Sequence, residues 1–290
     1  MAGYRFCRSD DIPLLVAAHN ACWVPHFGTE QAITVESFKR GVRELGLWSS
    51  SCMVAFDGDE PIGVLIGAKR DGDANCVHRL AVRPDHQRRG HGRHLLTSLA
   101  DKAAILGPAR LVAEIPADWT EVRRFFEKSG FVAEARYADF VAPACSDEGD
   151  ADPRADLIVP IGLDELVESG AFDLGQRRAW ARSKASLAAR AAEIEGIAIA
   201  TDRIEAYVLS RAAREGTERE VIALGAAPGA QAQALLALLM ARVRGAGGPV
   251  RIPMIAEQET SFATLAELGF LVERETIGYV AANQREGSHE

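Results

Sequence analysis

The sequence predicts an α/β (α+β) fold built from two copies of one unit. Three observations carry this expectation. Strand-like and helix-like segments alternate along the first half of the chain. The stretch GFVAEARYADFV, residues 130–141, aligns without a gap with GFLVERETIGYV, residues 269–280. Upstream of each stretch the same order recurs: hairpin, strand, helix, strand. A length of 290 residues also favours two domains over one.

Taken in order, residues 4–8 read as a short strand, and Ser9 or Asp10 caps a helix running to about Trp23. Residues 53–56 and 62–68 flank the turn DGDEP and form a β-hairpin. Residues 76–82 are a strand. Residues 90–106 are a helix whose apolar stripe is Leu95, Leu96, Leu99, Ala103 and Leu106. A further strand covers 111–115. Asp118 and Glu121 have capping-box spacing and open a helix to Ser129, which Gly130 stops. Residues 131–141 close the unit as a strand. The segment PACSDEGDADPRAD, residues 143–156, has almost no large apolar side chain and reads as an exposed linker. Beyond it, 198–210 reads as a second hairpin, followed by strand 221–224, helix 231–242 and strand 250–255. The expected domains are therefore 1–143, a linker at 144–156, and 157–283.

Composition narrows the function. Hydrophobic residues make up 48% of the chain, enough for substantial cores rather than disorder. The first 145 residues balance 18 basic against 18 acidic side chains, so the formal charge of −8 comes from the remainder. Such a balance argues against general binding of nucleic acid or of anionic membrane. Residues 221–243, the nearest approach to a membrane span, are broken by Pro228, Gln231 and Gln233. The N-terminus lacks the apolar core of a signal peptide. Five scattered cysteines, none spaced CxxC, argue against a disulfide framework and a Cys-based zinc site. The expectation is a cytoplasmic protein with reduced thiols and no metal.

The informative stretch is LAVRPDHQRRGHGRHLL, residues 80–96. Gln87, Gly90 and Gly92 form QxxGxG between a strand and a helix, among Arg83, Arg88, Arg89 and Arg93. Glycines let backbone N–H groups converge without Cβ obstruction, and a helix N-terminus adds partial positive charge. The pattern is an anion cradle suited to a pyrophosphate; a solvated strand-to-helix turn is the alternative. It lacks GxxxxGK[ST] and the third glycine of GxGxxG.

This arrangement resembles the GNAT superfamily of acetyl-CoA-dependent N-acetyltransferases. The match runs from LAV through RPDHQRRGHGRHLL to the helix ending FFEKSGF. It covers residues 4–141, and more faintly 157–280 as a degenerate second copy. The resemblance implies two GNAT-like units, each with a mixed, mainly antiparallel central sheet flanked by helices. It implies that acetyl-CoA is the acyl donor, its pyrophosphate held by Gln87, Arg88, Arg89, Gly90, His91, Gly92 and Arg93. Leu80, Ala81 and Val82 would line the pantetheine, with the Val82 N–H polarising the thioester carbonyl. The second copy runs LGAAPGAQAQALLALL, without QxxGxG or a loop arginine, and is expected to bind no coenzyme. It would serve in folding and dimerisation, which leaves a homodimer open.

Other roles follow less directly. His78 lies four residues before Val82 and has the pKa range of a general base. HRLAV is similar to the strand of arylalkylamine N-acetyltransferases in which a histidine removes the amine proton. Glu114 is the rival base. Phe126 stands where the family usually places an acid Tyr, and Trp119 where it has Asn; Tyr137 is the substitute acid. An acyl-cysteine route through Cys76 or Cys145 is a minor alternative. Trp23, His26 and Phe27 form an aromatic cluster in the segment expected to join the first two helices. They are candidates for binding a small-molecule or peptide amine, with plain core packing as the bland reading; Trp48 carries the same ambiguity. The rival function is an acyl-CoA-binding regulatory or sensor protein without turnover.

Overall fold

The computed structural model describes residues 2–70, 74–144, 153–172, 178–212, 218–245 and 248–282. It divides into two compact units, each discontinuous in sequence. One comprises Met1–Ile115, Trp119–Glu134 and Gly278–Glu290; the other comprises Pro116–Asp118 and Ala135–Ile277. Most of the expected linker, residues 145–152 with Cys145, lies outside the described residues.

The first unit opens with β1 (Gly3–Phe6) and α1 (Ile12–Phe27). Leu15, Ala18, His19 and Cys22 form the buried face of α1, at the spacing of one helical stripe. The helix reaches four residues beyond the expected end at Trp23, because Pro25 sits in the last turn, where only one backbone bond is lost. Trp23, His26 and Phe27 are therefore helical, not part of a joining segment. Next come α2 (Val35–Leu45), capped by Thr34, β2 (Met53–Asp57), β3 (Glu60–Lys69) and β4 (Asn75–Val82). The chain continues with α3 (His91–Leu106), β5 (Leu111–Pro116), α4 (Thr120–Glu127) and β6 (Phe131–Ala142). Strands β1 to β4 pair antiparallel in sequence order, and β4 pairs β5 in parallel. Leu95, Leu96, Leu99 and Ala103 of α3 are buried. Leu106, assigned to the same stripe, is 66% exposed at the helix end. The N-cap of α4 is Trp119, without a side-chain cap, rather than Asp118, and Glu121 pairs with Arg124.

The second unit follows the same plan. It adds β7 (Ile158–Pro160), α5 (Leu163–Glu168), α6 (Lys184–Ala188), β8 (Glu195–Ala200), β9 (Ile204–Ala212) and β10 (Arg219–Ala226). Then come α7 (Ala232–Arg244), β11 (Val250–Ala256), α8 (Phe262–Glu267) and β12 (Leu271–Ala281). Strands β7 to β10 pair antiparallel, β10 pairs β11 in parallel, and β11 pairs antiparallel with residues 137–142 of β6, which belong to this second unit. Leu235, Leu236, Leu239 and Met240 of α7 pack with Val208, Val221 and Leu224 in its core. Strand for strand, β7–β11 repeat β1–β5. No helix is long and apolar enough to cross a membrane among the described residues.

Candidate active site

Strand β4 shapes the site through an extra residue. Ile66 of β3 opposes Arg79, and the next residue, Gly67, opposes Val77, so His78 has no partner and forms a β-bulge. A bulge bends its strand and redirects its side chains. On the other edge, the parallel ladder with β5 covers only Asn75–Val77 against Leu111–Ala113. Past Val77 the two strands part.

The hydrogen-bond alternation fixes which peptide groups face that gap. The Arg83 N–H donates to Ile62 O at 2.9 Å. In an antiparallel ladder successive residues point to opposite edges. Ala81, opposite Val64, therefore turns its N–H and C=O toward β3, while Leu80 and Val82 turn theirs toward the β5 side. The Val82 carbonyl accepts from His26 Nε2 at 2.8 Å and from the Gln87 amide at 3.3 Å. Of the three strand residues expected to line a pantetheine, Leu80 and Val82 have outward backbone groups and Ala81 does not.

The loop that follows has backbone geometry suited to an anion. Arg88 and Gly90 have φ of 60° and 88°, and α3 starts at His91 with no side-chain cap. The first-turn N–H groups of a helix have no intrahelical acceptor, so they are available to an anion. A left-handed conformation at a bulky arginine is strained, a feature that clusters at ligand sites. A Cβ at Gly92 would meet the Phe125 ring at 3.5 Å and Val82 Cγ2 at 3.8 Å, so α3 begins close to the end of β4.

The four loop arginines are not equivalent. Arg83 is held by Asp85 at 2.8 Å and Glu60 at 3.0 Å, and Arg88 lies 3.6 Å from Glu121. Arg89 and Arg93 are exposed, with no ion pair among the described residues. His91 turns its ring inward, where Nδ1 lies 2.6 Å from the Tyr4 hydroxyl. It offers the loop its backbone alone.

Beside the bulge lies a polar chain that the sequence reading missed. Asn20 is pinned by two bonds to Ile33, at 2.9 Å each. Its Oδ1 lies 3.1 Å from His19 Nδ1, and His19 Nε2 lies 2.6 Å from Arg79 Nη1. Because a guanidinium only donates, Nε2 accepts, and His19 is the neutral Nδ1–H tautomer. Burial pushes the His19 pKa down to about 4. Burial, and then the charges of Arg79 and His19, push His78 down to about 4 as well.

Aromatic rings stand next to this chain. Arg79 lies over the Trp23 ring, 5.1 Å from its centroid. Trp23 and Phe27 centroids are 4.3 Å apart, and Phe27 stacks on Trp119 at 4.8 Å. Trp23 and Phe27 thus adjoin the bulge as a cluster, with Trp119 as a third member, while His26 is engaged by Val82. Trp48 is 52% exposed.

The remaining candidates are placed as follows. Glu114 is partly buried on β5. Phe126 is 4% exposed and packs edge-on against Phe125 and Phe131, so α4 presents no hydroxyl at that position. Tyr137 belongs to the second unit, clustered with Ala135, Ala179 and Ala256. Cys76 is buried, and desolvation followed by the Glu114 charge raises its thiol pKa well above the ordinary value. Such a thiol is a poor nucleophile.

The second unit keeps the strand geometry without the loop. Val221 opposes Ser210 and Ala223 opposes Leu209, so Ile222 is the bulged residue, four before the end of β10 as His78 is in β4. The β10–β11 ladder likewise stops after two pairs, Arg219↔Val250 and Glu220↔Arg251. Arg182 Nη1 bridges the parted strands, bonding Val221 O at 3.0 Å and Pro253 O at 3.1 Å. Its Nε and Nη2 hold Glu259 at 3.1 and 3.0 Å, and Arg178 pairs with the same carboxylate. A buried salt bridge fills the place corresponding to the gap of the first unit.

Residues 14–131 match the family model described as the acetyltransferase (GNAT) family. That match falls almost wholly on the first unit, and the chain has the fold of two GNAT-like units. No curated protein matches it. Among solved structures it is similar to the GCN5-related N-acetyltransferase of Sphaerobacter thermophilus, at TM-score 0.64 and 17% identity over 96% of this chain and 95% of that one. A tandem GNAT protein from the clavulanic acid biosynthesis pathway matches at TM-score 0.59 and 18% identity, covering 97% and 98% of the two chains. A fungal multi-domain GH3 β-N-acetylglucosaminidase with a GCN5-related glucosamine N-acetyltransferase region matches at TM-score 0.70 and 13% identity over 96% of this chain. This chain spans 38% of that protein's length.

Proposed function

We propose that the first unit transfers an acetyl group from acetyl-CoA to the amine of an acceptor, by direct attack on the thioester. The observation that carries this reading is the Val82 peptide, turned into the gap beside β5 next to an uncapped helix start. Acetyl-CoA would supply the activated acyl group. Its pyrophosphate fits the nest at residues 87–93, where Arg89 and Arg93 supply unneutralised charge. Leu80 and Val82 would pair with the pantetheine, and the Val82 N–H would polarise the thioester carbonyl.

His78 is neutral at ordinary pH and accepts the amine proton, directly or through a water. Glu114 is the rival for that step. Tyr137, the acid expected from the sequence, belongs to the second unit, and a thiolate leaves without an acid. The second copy, within 157–283, keeps the fold while Arg182 fills its strand gap; it acts as a structural partner and binds no coenzyme. The buried cysteines of the first unit, Cys7, Cys22, Cys52 and Cys76, suit a reducing, cytoplasmic setting.

The test is thiol release from acetyl-CoA with a panel of amines, each measured across pH. Amine-dependent release that His78→Gln abolishes supports the reading. The sensor alternative is favoured by Phe126 and Trp119, which stand where the resemblance implies an acid Tyr and an Asn; Phe126 is buried on α4. Saturable acetyl-CoA binding with no release at any pH would establish the sensor instead.

A further inference from the structure

We propose that the acceptor carries a carboxylate as well as its amine, and that Arg79 and Trp23 bind that carboxylate. The inference rests on the transferase reading above and names its substrate class.

Arg79 is partly buried, and burial lowers its pKa. Interior guanidinium groups need an anion, because desolvating an unpaired charge is costly. The deeply buried Arg182 and Arg178 follow this rule by sharing Glu259. Arg79 has no acidic partner among the described residues. Its one hydrogen bond is to the neutral imidazole of His19. A guanidinium presents five N–H donors, so most of its fork is unmatched.

Trp23 gives a second, independent observation. Its indole Nε1 is buried and has no hydrogen-bond partner. Leaving a buried donor without an acceptor is costly. The ring lies under the Arg79 guanidinium. Both groups are donors, so their common missing partner is an acceptor. One fixed positive charge and one neutral N–H match a single negative charge better than a phosphate's two. The flat aromatic walls of Trp23, Phe27 and Trp119 suit a planar group. A carboxylate meets all of these demands and can take the fork bidentately.

Position limits the rest of the molecule. His78 and Arg79 are consecutive across the bulge, and the Arg79 charge acts on the His78 ring. An amine at His78 and a carboxylate at Arg79 are therefore a few bonds apart. Free α-amino acids or short ω-amino acids have that spacing; long polyamines and lysines within a protein chain do not.

The experiment compares such amino acids with their carboxamides, which keep the amine and remove the charge. Binding is measured by calorimetry and transfer by thiol release, on the full chain with acetyl-CoA. Wild type should bind and acetylate a carboxylate at least about 10-fold better than its carboxamide, since hydrogen bonds to charged groups contribute ~1.5–3 kcal/mol. Arg79→Gln should collapse that ratio toward one, and Arg79→Lys should recover part of it. Acetyl-CoA affinity of each variant reports whether it has folded. Equal handling of acid and amide by wild type would overturn the proposal, as would an Arg79→Gln variant that keeps the ratio, or no binding of any carboxylate. If carboxylates bind through Arg79 but no amine is acetylated, this site stands and the transferase reading falls.

Discussion

The imidazole of His26 donates to the carbonyl oxygen of Val82 at 2.8 Å, tying the last turn of α1 to the end of β4. A carbonyl can only accept, so Nε2 carries the proton. The bond satisfies one of the two Val82 backbone groups facing the gap and leaves the N–H on the same side for a ligand. His26→Ala leaves that carbonyl to Gln87 alone. The expected cost is about 1 kcal/mol, read as a lower midpoint in urea with an unchanged slope. An unaltered midpoint would show that the contact contributes nothing net.

His78 should govern the acid limb of the rate profile. A free imidazole titrates near 6.5, and sequence alone places the limb there. Burial, with Arg79 and His19, instead puts His78 at about 4. A base acts when deprotonated, so kcat/KM, corrected for protonation of the amine itself, should be flat through 6.5 and fall only as pH approaches about 4. His78→Gln should lower kcat by about 10²–10⁴-fold and barely alter acetyl-CoA affinity. If Glu114→Gln carries the loss instead, the base is Glu114.

Stability should follow the same two histidines. His19 and His78 have folded-state pKa values of about 4 against 6.5 for an unperturbed ring. Between those values the unfolded chain binds more protons than the folded one, so stability rises with pH there. Their contribution is complete above about 6.5 and is lost as pH falls toward about 4. Chemical denaturation at a series of pH values checks this. His19→Gln should flatten the curve, and an identical slope in that variant would contradict the assignment.

In the second unit the buried pair is the test. Glu259→Gln leaves Arg178 and Arg182 without a carboxylate and should destabilise the protein by about 3–5 kcal/mol. Glu259→Leu combined with Arg178→Met and Arg182→Met removes the charges together and should cost less than the single change. A larger loss in the triple variant would mean that the strand bridge, not charge pairing, is the main contribution.

The fold was legible because it rests on periodicity and punctuation. The apolar stripe Leu95–Leu96–Leu99–Ala103, the DGDEP turn and the paired GF stretches each carry local signals that tertiary contacts reinforce. The glycine loop at 87–93 was legible for the same reason, since its glycines are local. The acceptor side was only half legible. Trp23 and Phe27 stood out as aromatics, but Pro25 hid that they are helical, and Trp119 read only as a departure from a motif. Arg79 was invisible, because nothing local says that a strand arginine lacks a carboxylate; that depends on α1 bringing His19 and Trp23 to it. The bulge at His78 is likewise a register property, set by two strands together. So is the match between Ile222 and His78, which no alignment of the hairpins reveals.

One anion nest, in the first unit, is expected to hold the coenzyme. Calorimetric titration of the full chain with acetyl-CoA tests it most directly, alongside Gly90→Val. No atom lies within 4 Å of a Cβ at Gly90, so the valine meets no clash, but a φ of 88° disfavours any side chain and displaces the nest. The account predicts one site per chain in the native protein, weakened at least about 10-fold in a variant that stays folded. Two sites per chain, or an unchanged dissociation constant in folded Gly90→Val, would contradict it.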